Sequence, residues 1–165
     1  MSSAFSLSAL TSRQEPALSF RWLCTSLPWG MSVDYVESIS LPFPTYDVAD
    51  PMFGGGSFFH YPGFMRLDSF SLVMYEDQDF AATTWVTGWM YVIRNPKTGA
   101  YSLPSEYKKE IQVSLVNREN APVLSVRLLG CWPTSVANLD LNYTDSSRLT
   151  LNITMSVDAV SFEGG

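Results

Sequence analysis

From Arg148 to Phe162, apolar Leu149, Leu151, Ile153, Met155 and Val157 alternate with Thr150, Asn152, Thr154, Ser156 and Asp158. A period of two held over that many positions specifies a β-strand with one buried face and one wet face. The run exceeds the usual strand of about five or six residues. Its wet side carries hydroxyl, amide and acid groups, none of them suited to covalent chemistry. Such a strand belongs in a wall, and the chain that holds it is expected to be mainly β.

The chain has 165 residues, enough to fill one hydrophobic core and short for two, so a single domain over 1–165 is expected. A hydrophobic fraction of 46% excludes general disorder. No apolar run approaches the roughly 18 residues of a membrane span. Residues 1–16 read as a flexible lead-in without the basic start and apolar core of a secretory signal. Cys24 and Cys131 lie in apolar or aromatic surroundings, which points to buried free thiols in a reducing compartment.

A net charge of -6 argues against ordinary nucleic-acid binding, which needs concentrated Lys and Arg. The signs are unevenly spread. Between Asp34 and Asp79 stand eight acids and one base, Arg66, whereas Arg94 to Arg127 holds six bases and three acids. A molecule with an acidic part and a basic part can stack on its own copies head to tail.

Along the chain, Ala17–Thr25 and Val33–Leu41 read as strands, separated by the breaker Pro28-Trp29-Gly30. The segment of about 46–65 reads as an irregular, extended loop. It combines Gly54, Gly55 and Gly56 with Met52, Phe53, Phe58, Phe59 and Tyr61, so that glycine supplies mobility and the aromatics supply adhesive surface. In Leu67–Tyr75, Phe70, Leu72 and Met74 form the core parity. The acids Glu76, Asp77 and Asp79 then lead into a helix over Phe80–Ile93, where they meet free amide hydrogens and oppose the dipole, and Asn95-Pro96 ends it. Trp85 and Trp89, one turn apart, are expected to form a core ridge between helix and sheet. Ile111–Leu115 and Leu124–Leu128 make a hairpin around Arg118–Ala121. Gly130-Cys131-Trp132-Pro133 is expected to interrupt the second strand, and Asp140–Tyr143 to form a short one. Six or seven strands and one helix give an antiparallel β-sandwich or small barrel with the helix packed at its side.

The sequence offers little to an enzyme. His60 with two distant cysteines does not make a zinc site, and neither HExxH nor CxxC is present. No GxSxG elbow presents a nucleophile. Asp77 and Asp79 could be weighed as a carboxylate pair, but helix capping accounts for them. The triple glycine lacks the spacing and the Lys of a phosphate loop. No cofactor is implied. What remains is wall and contact surface, in which neighbouring polar strand faces of a closed ring could line a channel that lets DNA slip past. A different class of reading is a carbohydrate- or peptide-binding sandwich with Trp22, Trp29 or Trp132 as a stacking platform.

The order of elements carries a resemblance. Phe70-Ser71-Leu72-Val73-Met74-Tyr75-Glu76-Asp77 is followed by Trp85 to Trp89 and then by Tyr107-Lys108-Lys109-Glu110-Ile111. Leu128-Leu129-Gly130-Cys131-Trp132-Pro133, Leu141-Asn142-Tyr143 and Leu149 to Phe162 complete the series. Over about Phe20 to Phe162 this resembles the tail tube proteins of contractile-tailed bacteriophages, and it is similar to the tube proteins of type VI secretion and extracellular injection particles. The resemblance implies a structural, non-enzymatic subunit of a virion tail, assembled in the bacterial host cytoplasm. It implies six subunits per ring, with rings stacked head to tail around a lumen that conducts DNA at ejection. Implied partners are other copies of the chain, the sheath, the tape-measure protein, the baseplate and the passing DNA. Mapped onto this sequence, Thr150, Asn152, Thr154, Ser156 and Asp158 become lumen candidates, and the hairpin Ile111 to Leu128 a wall candidate. Met52, Phe53, Gly54, Gly55, Gly56, Phe58, Phe59 and Tyr61 become the ring-stacking loop. A tube initiator at the baseplate end, or the tube protein of a secretion or injection system, is the alternative within the resemblance.

Overall fold

The computed structural model describes residues 16–50, 52–53, 57–58 and 60–164. β1 (Trp22–Ser26) is followed by two 3-10 turns, Pro28–Gly30 and Val33–Tyr35, and by β2 (Val36–Ile39). Next come β3 (Thr45–Ala49), β4 (Met52–Phe53), β5 (Ser57–Phe58), β6 (Tyr61–Arg66) and β7 (Phe70–Tyr75). Helix α1 (Ala81–Ile93) and the single turn α2 (Pro104–Tyr107) precede β8 (Lys109–Val116), β9 (Pro122–Val136), β10 (Thr150–Ser156) and β11 (Ala159–Gly164).

Among the described residues all pairings are antiparallel, and apart from the two-stranded sheets β3–β6 and β4–β5 they form two layers that share β9. The first layer holds β1, β8, the first part of β9 and β11; the second holds β2, β7, β10 and the last part of β9. Ile111, Val113, Val126 and Leu128 from the first layer join Leu72, Met74, Leu151, Ile153 and Met155 from the second in one buried cluster. The expected mainly antiparallel β architecture with one principal helix is therefore the observed one.

Two strand predictions change in an instructive way. The Gly130-Cys131-Trp132-Pro133 stretch does not interrupt its strand; β9 runs through it and bends, carrying the chain from one layer to the other. Gly130 takes a φ of +70° at the bend, a region open to glycine at no steric cost. The missing amide of Pro133 is accommodated by a register shift at Thr134, whose hydroxyl donates to the Thr154 carbonyl at 3.0 Å. Conversely, the closing strand is not one strand. It divides at Val157-Asp158 into β10 and β11, which pair with the two halves of β9, so both paths bend together.

Other boundaries shift as well. The first strand begins at Trp22, after a turn closed by the Arg21 amide donating to the Leu18 carbonyl at 3.1 Å, and the second at Val36, because Ser32 caps a 3-10 turn by accepting from the Asp34 amide. Asp140–Tyr143 is no strand, since the side chains of Asn142 and Asp145 bind nearby backbone amides and fold the segment into turns. The eleven strands among the described residues exceed the expected six or seven, chiefly because the 46–65 segment is itself paired.

Helix α1 begins as its acids predicted, with a stronger cap than expected. Glu76 is buried, and its two oxygens accept from the amides of Ala82 and Thr83 at 3.0 Å each, while the Thr83 hydroxyl donates to Oε2. Asp77 Oδ1 accepts from the amides of Asp79 and Ala81, and its Oδ2 from the Tyr35 hydroxyl at 2.5 Å. These bonds satisfy amides that an α-helix leaves unpaired at its start. The helix lays Trp85 and Trp89 inward. Trp85 Nε1 donates to the Pro28 carbonyl at 2.9 Å and Trp89 Nε1 to the Tyr107 carbonyl at 2.7 Å, so the indoles tie α1 to the 3-10 turn and to α2.

Candidate functional site: a projecting arm and an uncharged sheet face

The segment read as an irregular loop is a two-stranded arm. β3 pairs with β6, Thr45 opposite Arg66 and Tyr46 opposite Met65, and β4 pairs with β5 farther out. Its sequence signal was present: Thr45-Tyr46-Asp47-Val48 alternates. Gly63 is placed by close approach, since a Cβ there would lie 2.9 Å from the Asp47 carbonyl oxygen. Every residue of β3 and β6 is exposed. Arg66 pairs with Asp47 at 3.0 Å, and His60 Nδ1 with Asp50. Tyr61 opens β6, 48% exposed. Met52, Phe53 and Phe58 lie on the outer ladder, while Gly54, Gly55, Gly56 and Phe59 fall outside the described residues.

The second layer presents a face of different character. Thr150, Asn152, Thr154 and Ser156 point away from the core, opposite buried Leu151, Ile153 and Met155. Pairing extends them into rows: Ser38, Val73 and Asn152 stand side by side, as do Ser71, Thr154 and Ser135. These two rows carry hydroxyl, amide and methyl groups and no charge, while in the row beyond them Tyr75, opposite Thr150, has the Arg148 guanidinium 3.8 Å over its ring. Asp158 stands apart, at the bend beyond the end of β10, where Oδ2 accepts from Lys108 Nζ at 2.6 Å. That ion pair holds the Lys108 pKa above its ordinary value.

The outer face of the first layer is ionic. Arg127 reaches Glu110 through two bonds of 2.6 and 3.1 Å and approaches Glu163 at 3.8 Å, while Gln112 donates to Glu110 at 2.8 Å. The Arg127 guanidinium draws the Glu110 carboxyl below its usual range. The charges on this face are thus largely neutralised within the chain.

Asp77 is committed to capping, and Tyr35 is the main reason its pKa is lowered. Burial pushes the Cys24 thiol up to about 11 and the Cys131 thiol up to about 12, the reverse of an activated nucleophile. Among the described residues no group of three or more His, Cys, Asp or Glu side chains could hold a metal ion, and no helix is long and apolar enough to cross a membrane.

A further feature escaped sequence reading. The 137–149 connection between β9 and β10 encloses a cleft of about 480 Å³, with Leu139, Leu149, Thr150 and Asn152 among its lining residues. Leu141 and Tyr143 on this connection are almost wholly exposed. The only signal was their alternation with Asp140, Asn142 and Thr144, which reads equally well as a strand.

The sequence profile of the phage tail tube protein family matches residues 35–162. The chain belongs to that family. The match takes in the arm, α1 and every strand from β2 to β10, and the family is one of structural tube proteins and not of enzymes. Solved structures share the fold. The tube-terminating cap of the anti-feeding prophage superposes with a TM-score of 0.74 at 20% identity, covering 93% of this chain and 95% of that one. A chain of the PVC sheath–tube complex, an extracellular contractile injection system in its extended state, gives 0.67 at 20% identity over 98% and 100%. A type six secretion system protein gives 0.53 at 7% identity over 87% and 82%. Among curated protein sequences none matches this one. Family membership makes the chain a tail-tube component of a virion-like particle.

Proposed function

We propose that this tail tube family member assembles into closed rings of six, stacked head to tail, whose lumen conducts DNA at ejection. Thr150, Asn152, Thr154 and Ser156 face the lumen, with Asp158 at its margin, and the arm of 45–66 makes the contact between rings. Sheath, baseplate and tape-measure proteins complete the tail, which assembles in the host cytoplasm. The whole of 1–165 acts as one tube domain.

The observation that carries this reading is the pair of uncharged central rows on the outer face of the second layer. Phosphate is held by Lys and Arg, so a wall of hydroxyl and amide groups offers it no trap, while polar groups keep the wall wetted. In a chain of net charge -6, central rows free of both signs, with the Arg148 guanidinium spread over the Tyr75 ring at the end of the face, suit transit better than retention. The fold shared with injection-system chains supports a second reading, in which the chain is the tube protein of a secretion or injection system.

The test is a pair of lysine substitutions, Asn152→Lys and Thr154→Lys, in assembled tails. Tubes of normal appearance with markedly slower DNA release are expected. Unchanged release from fully assembled tails carrying both lysines would place this face away from the DNA.

A further inference from the structure

The arm leaves the second layer through two short roots. The first follows β2: Leu41 packs half-buried against the core, Pro42 is buried, and Phe43 and Pro44 lead into β3. The second precedes β7, where Leu67 packs half-buried against the same core. Between the roots every residue of β3 and β6 is exposed, so neither strand is packed against the body. Phe43, itself 66% exposed, nonetheless has a partner in the other layer. Its ring stacks on Phe162 of β11, with centroids 5.1 Å apart and planes at 17°. We infer that the Phe43–Phe162 stack is a latch that fixes the direction in which the arm projects, and that the arm swings about its two roots when the stack opens. The latch governs how the arm is aimed, whatever the arm meets.

Three observations carry it. First, the root that bears the latch is stiff. Proline fixes its own φ and confines the residue before it to extended backbone, so Phe43, held between Pro42 and Pro44, passes the position of its ring on to β3. Second, the inner part of the arm moves as a unit. Thr45 pairs with Arg66 and Tyr46 with Met65 directly above the roots, Arg66 bonds to Asp47 at 3.0 Å, and Gly63 lies close against the Asp47 carbonyl. Third, the tie crosses between layers. Both roots belong to second-layer strands, whereas Phe162 stands opposite Val126 in the first layer, so the stack braces the arm from outside its own sheet. An aromatic pair of this kind shifts a two-state equilibrium by roughly 2- to 12-fold. That suffices to set a preferred direction and is small enough to be reversed by a binding contact.

Distance measurements by pulsed electron spin resonance on the unassembled chain test this directly. Spin labels carried by a ketone side chain introduced at exposed Val48 on the arm and at exposed Tyr91 on α1 leave Cys24 and Cys131 untouched. Circular dichroism and thermal melting would verify that each variant folds. The parent should give a single narrow distance distribution. Phe43→Ala and Phe162→Ala should each broaden it to the same extent, the double variant should broaden it no further, and Phe43→Tyr, which keeps the stack, should restore the parental width. A parental distribution in both alanine variants, or a broadening by Phe43→Ala that Phe162→Ala does not reproduce, would overturn the latch. Either result leaves the tube reading in place, since the lysine substitutions at Asn152 and Thr154 test that separately.

Discussion

Gly130 and Asp158 face each other where β9 and the β10–β11 path bend together: a Cβ added at Gly130 would lie 2.4 Å from Asp158 Oδ2. The Asp158 amide donates to the Leu129 carbonyl at 3.0 Å, and its carboxylate accepts from Lys108. The two longest strand paths therefore turn as a unit, and the absence of a side chain at Gly130 is what lets Asp158 close the corner.

Gly130→Ala is expected to destabilise the fold by roughly 2–4 kcal/mol. The left-handed backbone costs an alanine about 1–2 kcal/mol, and displacing Asp158 adds a further steric cost. Urea unfolding measures the sum. Adding Asp158→Gly should recover the steric part, because Asp158 Cβ itself would lie 2.8 Å from the added Cβ, and leave the backbone part. A single variant within about 0.5 kcal/mol of the parent would show that the corner relaxes freely.

The Glu76 carboxylate is buried against the first turn of α1 and accepts two amides and a hydroxyl. Glu76→Ala leaves those donors without a partner, at a cost of roughly 2–3 kcal/mol. Amide exchange should locate the damage, with protection lost first at Ala82 and Thr83. Exchange unchanged at those two amides would mean that water replaces the carboxylate at no penalty.

Asp77 gives the fold an acid-side pH dependence. Its pKa is lowered, first by the Tyr35 hydroxyl and then by the Ala81 amide. A carboxyl with a depressed folded-state pKa contributes stability above its ordinary value, and that contribution is lost as pH falls through the folded one. Tyr35→Phe removes the largest cause, so the Asp77 carboxyl should titrate at higher pH in carbon-detected NMR. An unmoved titration would assign the shift to the backbone amides alone.

Where the sequence was legible, one physical rule governed each element. Alternation identified the cores of β7, β8 and β10, and the Glu76–Asp79 acids marked the start of α1. Misreadings arose where two rules competed. Pro133 signals a break, but a bulge at Thr134 absorbs it. Glycine and aromatics in the 46–65 segment suggest a loose loop, yet Thr45–Ala49 finds Tyr61–Arg66 across the reversal, a partner that local pattern cannot reveal. The uncharged face was legible only in part, since β10 declared its own polar side while the neighbours Ser38, Ser71 and Ser135 were assigned by register. The cleft depends on how a turn-rich connection folds back on a strand, and no periodicity encodes that.

The two thiols report on the integrity of both layers. Cys24 lies on β1 and Cys131 just past the bend of β9, and burial raises their pKa values to about 11 and about 12. At pH 8 a pKa near 12 leaves a thiolate fraction on the order of a thousand-fold below that of an ordinary cysteine. Native protein should therefore react with a thiol reagent far more slowly than urea-unfolded protein, with Cys131 the slower of the two. The same shift fixes a sign on the alkaline side. A group whose folded-state pKa is raised contributes stability that is complete below its unfolded value and is lost as pH rises through the folded one. Stability should accordingly decline between about pH 9 and pH 12, and the Cys131→Ala variant should lose part of that decline. Rapid labelling of Cys131 in the native state, at a rate near that of the unfolded chain, would mean that β9 opens at its bend far more readily than its pairing with β8, β10 and β11 implies.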